Sequence, residues 1–271
     1  MNAIPLVLYA AALVAYMLHF ARRQPDVGRA ATTCLVAGAL AHTFVVGMQT
    51  MEVRHVPVTN ASSAISTFVL LLVLAYLFTE MTTEERAMGA FILPLVVALQ
   101  LIPALHPLPE ERAEVLQGPL FGIHVSSLLF AYASFALACV IGIIYVLQFK
   151  ELKAKHFGFF YSRLPALDVL DTMNQRATFV GWVCLTIGLV VGFIWAGQAP
   201  GYDPRVQAMS LQDPKIFVAV LTWVVYSFEV FAARRIGWGG RRAAYLSTVG
   251  FAIVLLNFLP ISYFLTKSHN F

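Results

Sequence analysis

The sequence predicts an all-α, polytopic membrane bundle of about eight transmembrane helices with both termini outside, and three observations carry that prediction. Of the 271 residues, 59% are hydrophobic and only 12% are charged, where soluble domains run near one-quarter charged. Mean hydropathy is +0.77, and the apolar residues gather in runs of about 20, the length a helix needs to cross a bilayer. A membrane barrel would show alternating ten-residue segments instead. Lysine and arginine complete the case by their placement. With the N-terminus outside, the inner loops hold Arg22, Arg23, Arg29, Arg86, Lys150, Lys153, Lys155, Arg163, Arg176, Arg234, Arg235, Arg241 and Arg242. The outer loops hold only Arg54, Arg112, Arg205, Lys215 and Lys267. Cytoplasmic loops carry such an excess of basic residues. The net charge of +4 therefore reflects topology and contact with the lipid bilayer, with no call for a nucleic-acid partner.

The whole chain, 1–271, reads as a single integral membrane domain with spans at 3–21, 31–51, 62–79, 87–105, 119–149, 176–197, 215–233 and 243–264. The first run lacks a basic n-region and an A-x-A-like exit, so it is expected to remain as a span and not to be cleaved. Span 2 carries His42 near its middle. An ionisable group at that depth is costly and is by default a candidate for function, or else a neutral imidazole bonded to a neighbouring helix. In the next outer loop His55 is expected to be solvated, and Asn60 to start span 3. Span 3 reads as lipid-facing Leu/Val. Thr82 or Thr83 with Glu85 suits a cap for span 4, which Pro94 and Pro103 would kink or end.

Glu110, Glu111 and Glu114 then fall at helical spacing, read as a solvated charged face or a short amphipathic helix on the membrane. Span 5 opens at GPLFGIHVSS, which puts His124 about a turn and a half inside the outer end. The inner loop 150–176 is long and basic, and LDVLDTMNQR is expected to cap span 6. In span 6, Gly188 and Gly192 form a G-x-x-x-G, a pattern that lets helix backbones approach closely. Glu229 near the inner end of span 7 is expected to pair with Arg234 or Arg235 or to snorkel inward. Cys34, Cys139 and Cys184 lie within spans without C-x-x-C spacing, and read as small buried hydrophobes.

No Ser/His/Asp arrangement, H-E-x-x-H helix, P-loop or dinucleotide fingerprint is present, so no enzyme is expected. What remains is a set of histidines and aromatics at one face, around the outer loop within Gly192–Lys215. His124 and His269 reach that face from a span's beginning and a span's end. Neutral imidazoles suit haem iron as axial ligands. Trp195 and Tyr202 offer an aromatic platform, and Arg205 and Lys215 would meet propionates.

Four stretches carry a family resemblance. IHVSSLLFAYASFALACVIGIIYVLQ, with His124 as its second residue, resembles a span of the cytochrome c assembly proteins of the CcsA and CcmC type. LTIGLVVGFIWA followed by QDPKIFVAVLTWVVYSFEVF is similar to that family's tryptophan-rich loop and next helix. GFAIVLLNFLPISYFLTKSHNF resembles its last span and terminal histidine, and AHTFVVGMQTMEVRHVPVTNASSAISTF its H…FPxxNxxES passage. The resemblance covers nearly the whole chain. It implies that His124 and His269 are the outer-face haem ligands, and that His42 matches the histidine of a haem site within the membrane. Trp195, Asp213, Pro214 and Lys215 match the edges of the tryptophan-rich signature. The central W-G-x-x-W-x-W-D core is missing: Gln212 precedes Asp213, and Tyr202-Asp203-Pro204 is a partial substitute. Phe231 stands where a second in-membrane histidine would be expected.

Those losses resemble the HemX-like branch, which is linked with haem biosynthesis and control of glutamyl-tRNA reductase levels. The resemblance thus implies a haem-handling protein of the bacterial plasma membrane acting in cytochrome c biogenesis with an assembly partner subunit. Its alternative is a HemX-type regulator acting on a haem-biosynthesis enzyme. A small-molecule transporter using His42 and Glu229 is the reading from a third class, without an internal repeat to support it.

Overall fold

A computed structural model describes residues 2–110, 116–155, 158, 161–198 and 214–256. The described residues form α1 (Ala3–Arg22), α2 (Pro25–Val53), α3 (Ala61–Thr83), α4 (Gly89–Leu105), α5 (Pro119–Lys153), α6 (Leu167–Gln198) and α7 (Pro214–Phe231). A π-helical turn (Ala232–Ile236) and α8 (Arg241–Leu256) follow. A described helix falls within each expected span, residues 257–264 of the last lying outside the described residues, and the chain is a polytopic helical bundle. Six helical segments among the described residues are long and apolar enough to cross a membrane. The α4 helix has 17 residues, about 25 Å at 1.5 Å per residue. It runs through Pro94 and ends two residues after Pro103.

Several helices begin or end beyond the apolar runs. α6 starts at Leu167, so the LDVLDTMNQR segment is its first turns and not a cap ahead of it. α2 starts at Pro25, with proline in the first turn where its missing N–H costs nothing. Polar residues continue a helix into the headgroup region because water and headgroups satisfy their side chains while the backbone stays paired. Asn60 caps α3 as expected, its side chain accepting from Ser63 N at 2.9 Å. The expected cap on α4 is not formed. Thr82 and Thr83 close α3 by bonding back to their own helix, and Glu85 accepts from Ala87 N at 2.9 Å.

α5 is the centre of the bundle. It packs on α3, α6 and α8, and residues 131–138 (AYASFALA) are buried all round. Small side chains at Ala131, Ala133, Ser134, Ala136 and Ala138 let neighbours close in from several sides. Gly142 extends this: a Cβ there would meet Ala244 O at 2.8 Å and Ser247 Oγ at 2.9 Å. Phe135 stacks on Tyr226 of α7 with ring centroids 3.6 Å apart. Trp182 and Trp223 bond across α6 and α7, to Ser227 Oγ at 2.7 Å and Thr186 Oγ1 at 2.9 Å. α3, expected to face lipid, is instead mostly buried within the bundle. Composition does not separate those cases, since lipid tails are as apolar as leucine.

The ends of α1, α2 and α3 are tied by a polar knot at the end bearing the α3–α4 turn. Glu80 is 2% exposed. It accepts from Tyr16 OH at 2.6 Å and from Thr32 Oγ1, with Arg86 Nε 3.7 Å away. Arg86 Nε also donates to Thr32 Oγ1 at 3.1 Å. At the other end, Glu110 is not a solvated face. Its carboxylate accepts from the backbone N–H groups of Val58 and Thr59 at 2.7 Å each, and from Asn60 Nδ2 at 2.8 Å. His55 of the same loop is 5% exposed, against the expectation of a solvated ring, and its Nδ1 donates to Val56 O at 2.9 Å. Glu111 and Glu114 lie outside the described residues.

Candidate functional site

The site is built where the start of α5 lies against the end of α6. Gly118, with φ +121°, turns the chain into α5, and Pro119 opens the helix. Five residues on, His124 faces α6. The two helices run antiparallel in a register marked by glycines. Gly181 lies against Phe135, Gly188 against Leu128, and Gly192 against the ring of His124. A Cβ at Gly192 would collide with the imidazole. The G-x-x-x-G therefore does more than bring two backbones together: it opens the slot that the histidine occupies.

Gly188 supplies the second element. His124 Nδ1 lies 2.7 Å from the Gly188 carbonyl oxygen. A carbonyl can only accept, so Nδ1 carries the proton and donates. In the neutral ring Nε2 then holds the lone pair. Histidines that ligate metals almost always have this arrangement, the far nitrogen orienting the ring through a carbonyl or carboxylate. The sequence reading did not anticipate that partner, because a backbone carbonyl at i−4 from the slot-forming glycine has no residue-type signature.

Trp195 completes the site from one turn further along α6. Its indole lies nearly parallel to the His124 ring, with centroids 6.3 Å apart and planes 15° from parallel. Phe121 packs on Trp195 at 5.3 Å. These rings sit with Val58 and Leu116 in a local apolar cluster, against which Val56, Leu120 and Val125 pack. Trp195 is 9% exposed, so its position is set by packing. The α2–α3 loop thereby walls the site, and Phe121, Val56 and Val58 are the parts that sequence reasoning missed.

Of the residues expected at this site, His124 and Trp195 are brought together. Lys215 is the second residue of α7. Tyr202, Arg205 and His269 lie outside the described residues, as does Asp213. His42 belongs elsewhere, on α2 between α1 and α3. It is fully buried, with Tyr9 OH 3.1 Å from Nδ1 and Ser66 Oγ 2.9 Å from Nε2. One ring nitrogen donates and the other accepts, so the imidazole bridges three helices. His42→Leu is expected to cost about 1–2 kcal/mol, the scale of two interhelical hydrogen bonds and the partners left behind. Reversible unfolding in detergent measures it.

A leucine at Gly192 tests the slot. Overfilling a packed contact costs about 1–3 kcal/mol, and the ring of His124 has to leave its place beside Gly188 O. Gly192→Leu is therefore expected to lower the unfolding midpoint in detergent, while Gly197→Leu, with open space around it, leaves it unchanged.

The comparisons with known proteins agree on one group. A sequence profile described as "Cytochrome C assembly protein" matches residues 3–269. "Cytochrome c biogenesis protein CcsA" of Heterosigma akashiwo is 26% identical over 251 residues, covering 79% of this chain and 76% of the relative. The protein of the same name from Synechococcus elongatus is 24% identical over 278 residues, covering 85% and 83%. "Protein HemX" of Brevibacillus brevis is 27% identical over 257 residues, covering 93% of this chain and 91% of its own.

Proposed function

This chain belongs to the cytochrome c assembly protein family, and from that premise we propose that it is a haem-handling integral membrane protein of cytochrome c biogenesis. The single observation that carries the reading to particular residues is His124. Its Nδ1–H is committed to Gly188 O, so the lone pair of the neutral ring is on Nε2, the atom that would hold iron. Trp195, parallel to that ring and backed by Phe121, offers an apolar face beside a porphyrin. The residues present fit one side of a haem.

Bound haem would supply iron coordination and, in biogenesis, the cargo itself. His124, from α5, and His269 would hold the iron. Trp195, with Tyr202, would bound the porphyrin edge, while Arg205 and Lys215 would meet its propionates. The role is to hold and present haem, with no bond change made by the protein. His42 is the candidate for a second haem within the membrane. Its contacts to Tyr9 and Ser66 favour an interhelical link, since ligation would displace one of them.

We read the site as lying on the outer face of a bacterial plasma membrane with both termini outside, a reading supported by the excess of basic residues on the loops assigned inside. An assembly partner subunit would complete the haem path. A second reading has its own support: the missing W-G-x-x-W-x-W-D core and the near-complete match to Protein HemX fit a HemX-type regulator of glutamyl-tRNA reductase levels. Deleting the gene and staining membranes for covalently bound haem separates the two. Loss of haem-stained c-type cytochromes, restored by the wild-type gene but not by His124→Ala, is the expected result. Unchanged cytochromes with altered glutamyl-tRNA reductase levels would favour the regulator.

A further inference from the structure

At the other end of α6 a second, partly polar pocket opens between the helices. A cavity of about 260 Å³ lies between α6, α7 and the start of α8, lined in part by Thr172, Gln175, Arg176, Glu229 and Arg234. Glu229 is 3% exposed. Its Oε1 has the Thr178 hydroxyl at 3.4 Å, a weak contact, and its Oε2 accepts no hydrogen bond from any described residue. The expected pairing with Arg234 or Arg235 is not made. Arg234 lies over the ring of Phe179 at 3.8 Å, and Arg176 Nη1 donates to Thr82 O at 2.6 Å. Both arginines are exposed. A buried carboxyl group with one weak donor and one unsatisfied oxygen thus lines the same cavity as two exposed guanidinium groups.

That arrangement asks for a particular kind of guest. A buried carboxylate with so little donation is costly, and a guest that brings N–H or O–H groups to it relieves that cost. A single water does not fill a cavity of that volume. Potassium or sodium would meet Glu229 but add charge beside the arginines. The π-helical turn Ala232–Ile236 begins three residues after Glu229 and carries Arg234, and such turns are frequent at functional sites. Glu229 and Arg234 are five residues apart, about 7.5 Å along a helix axis, which suits a compact ligand with opposite charges at its two ends.

We propose that this cavity binds a primary ammonium group carried beside an anion, the ammonium donating to Glu229 and the anion resting on Arg234 and Arg176. A primary ammonium brings three donors, and guanidinium groups suit phosphate or carboxylate. The headgroup of an aminophospholipid and a soluble zwitterion such as phosphoethanolamine present the same pair of charges. A choline headgroup has no N–H to offer and serves as the control.

The full chain is reconstituted in nanodiscs of phosphatidylcholine, alone or mixed with phosphatidylethanolamine. Native mass spectrometry counts retained lipids, and melting is followed while phosphoethanolamine is added to the phosphatidylcholine discs. At least fivefold enrichment of phosphatidylethanolamine over phosphatidylcholine, abolished by Glu229→Gln, supports the site with a lipid source. A rise in melting temperature with phosphoethanolamine alone, absent in Glu229→Gln, supports it with a soluble source. No enrichment and no melting response, or responses that survive Glu229→Gln, overturn it. Should Glu229→Gln fail to fold, Arg234→Gln at an exposed position decides: loss of the response supports the anion half, and an unaltered response overturns the proposal.

Discussion

His124→Ala is expected to abolish the Soret band of the haem-loaded protein at haem concentrations that saturate the wild type. Removing the hydrogen-bond partner of a metal ligand already costs about 10–100-fold in affinity, and loss of the ligand itself should cost more. The geometry also predicts rescue. The slot between Gly188 and Gly192 is shaped around an imidazole ring, so His124→Gly supplied with free imidazole should regain the band, the free ring donating to Gly188 O as the tethered one does. His42→Leu serves as the control, because His42 is held by Tyr9 and Ser66 on other helices and should leave the outer band in place. Haem retained by His124→Ala with an unaltered spectrum would show that another residue holds the iron.

Glu80→Ala is expected to have the largest effect on stability of any single change outside that site. Glu80 accepts from Tyr16 and Thr32 and lies near Arg86, in a pocket where its own exposure is 2%. Deleting it leaves the buried Tyr16 hydroxyl without its acceptor, Thr32 with only the carbonyl of Gly28, and Arg86 without its nearby carboxylate, at the junction of three helices. Leaving a buried hydrogen-bonding group unsatisfied costs about 1–3 kcal/mol for each group. Glu80→Gln keeps an acceptor oxygen and the volume, and should cost less. Unfolding in detergent reads both. A loss under 1 kcal/mol for Glu80→Ala would mean that helix packing alone holds this corner.

The bundle was legible because its cause is compositional: runs of about 20 apolar residues have one economical arrangement in lipid. Which helix occupies the middle was not legible by hydropathy. α3 and α5 are both apolar, and only the small residues of AYASFALA mark a helix that others approach from several sides. The polar residues divided similarly. Asn60 acts on its own next turn and was read correctly. Glu80, Glu110 and Glu229 act on, or fail to meet, groups up to 64 positions away, and their fates depend on packing that no local pattern encodes.

The site itself was half visible. His124 stood out as an imidazole near a span's end, and the i, i+4 glycines stood out as a packing motif. That the glycines exist for the histidine, one by its carbonyl and the other by its missing side chain, appears only when α5 and α6 are set side by side. Trp195 took its place for the same reason: it lies three residues beyond Gly192, on the face of α6 that meets α5.

The measurement closest to the central claim is the low-temperature electron paramagnetic resonance spectrum of the purified, haem-loaded protein in its ferric state, compared with His124→Ala and His269→Ala. Two axial imidazoles predict a low-spin six-coordinate spectrum in the wild type and its loss in either variant. A wild-type spectrum that is high-spin, or a low-spin one that both variants preserve, would contradict the account of a haem held between His124 and His269.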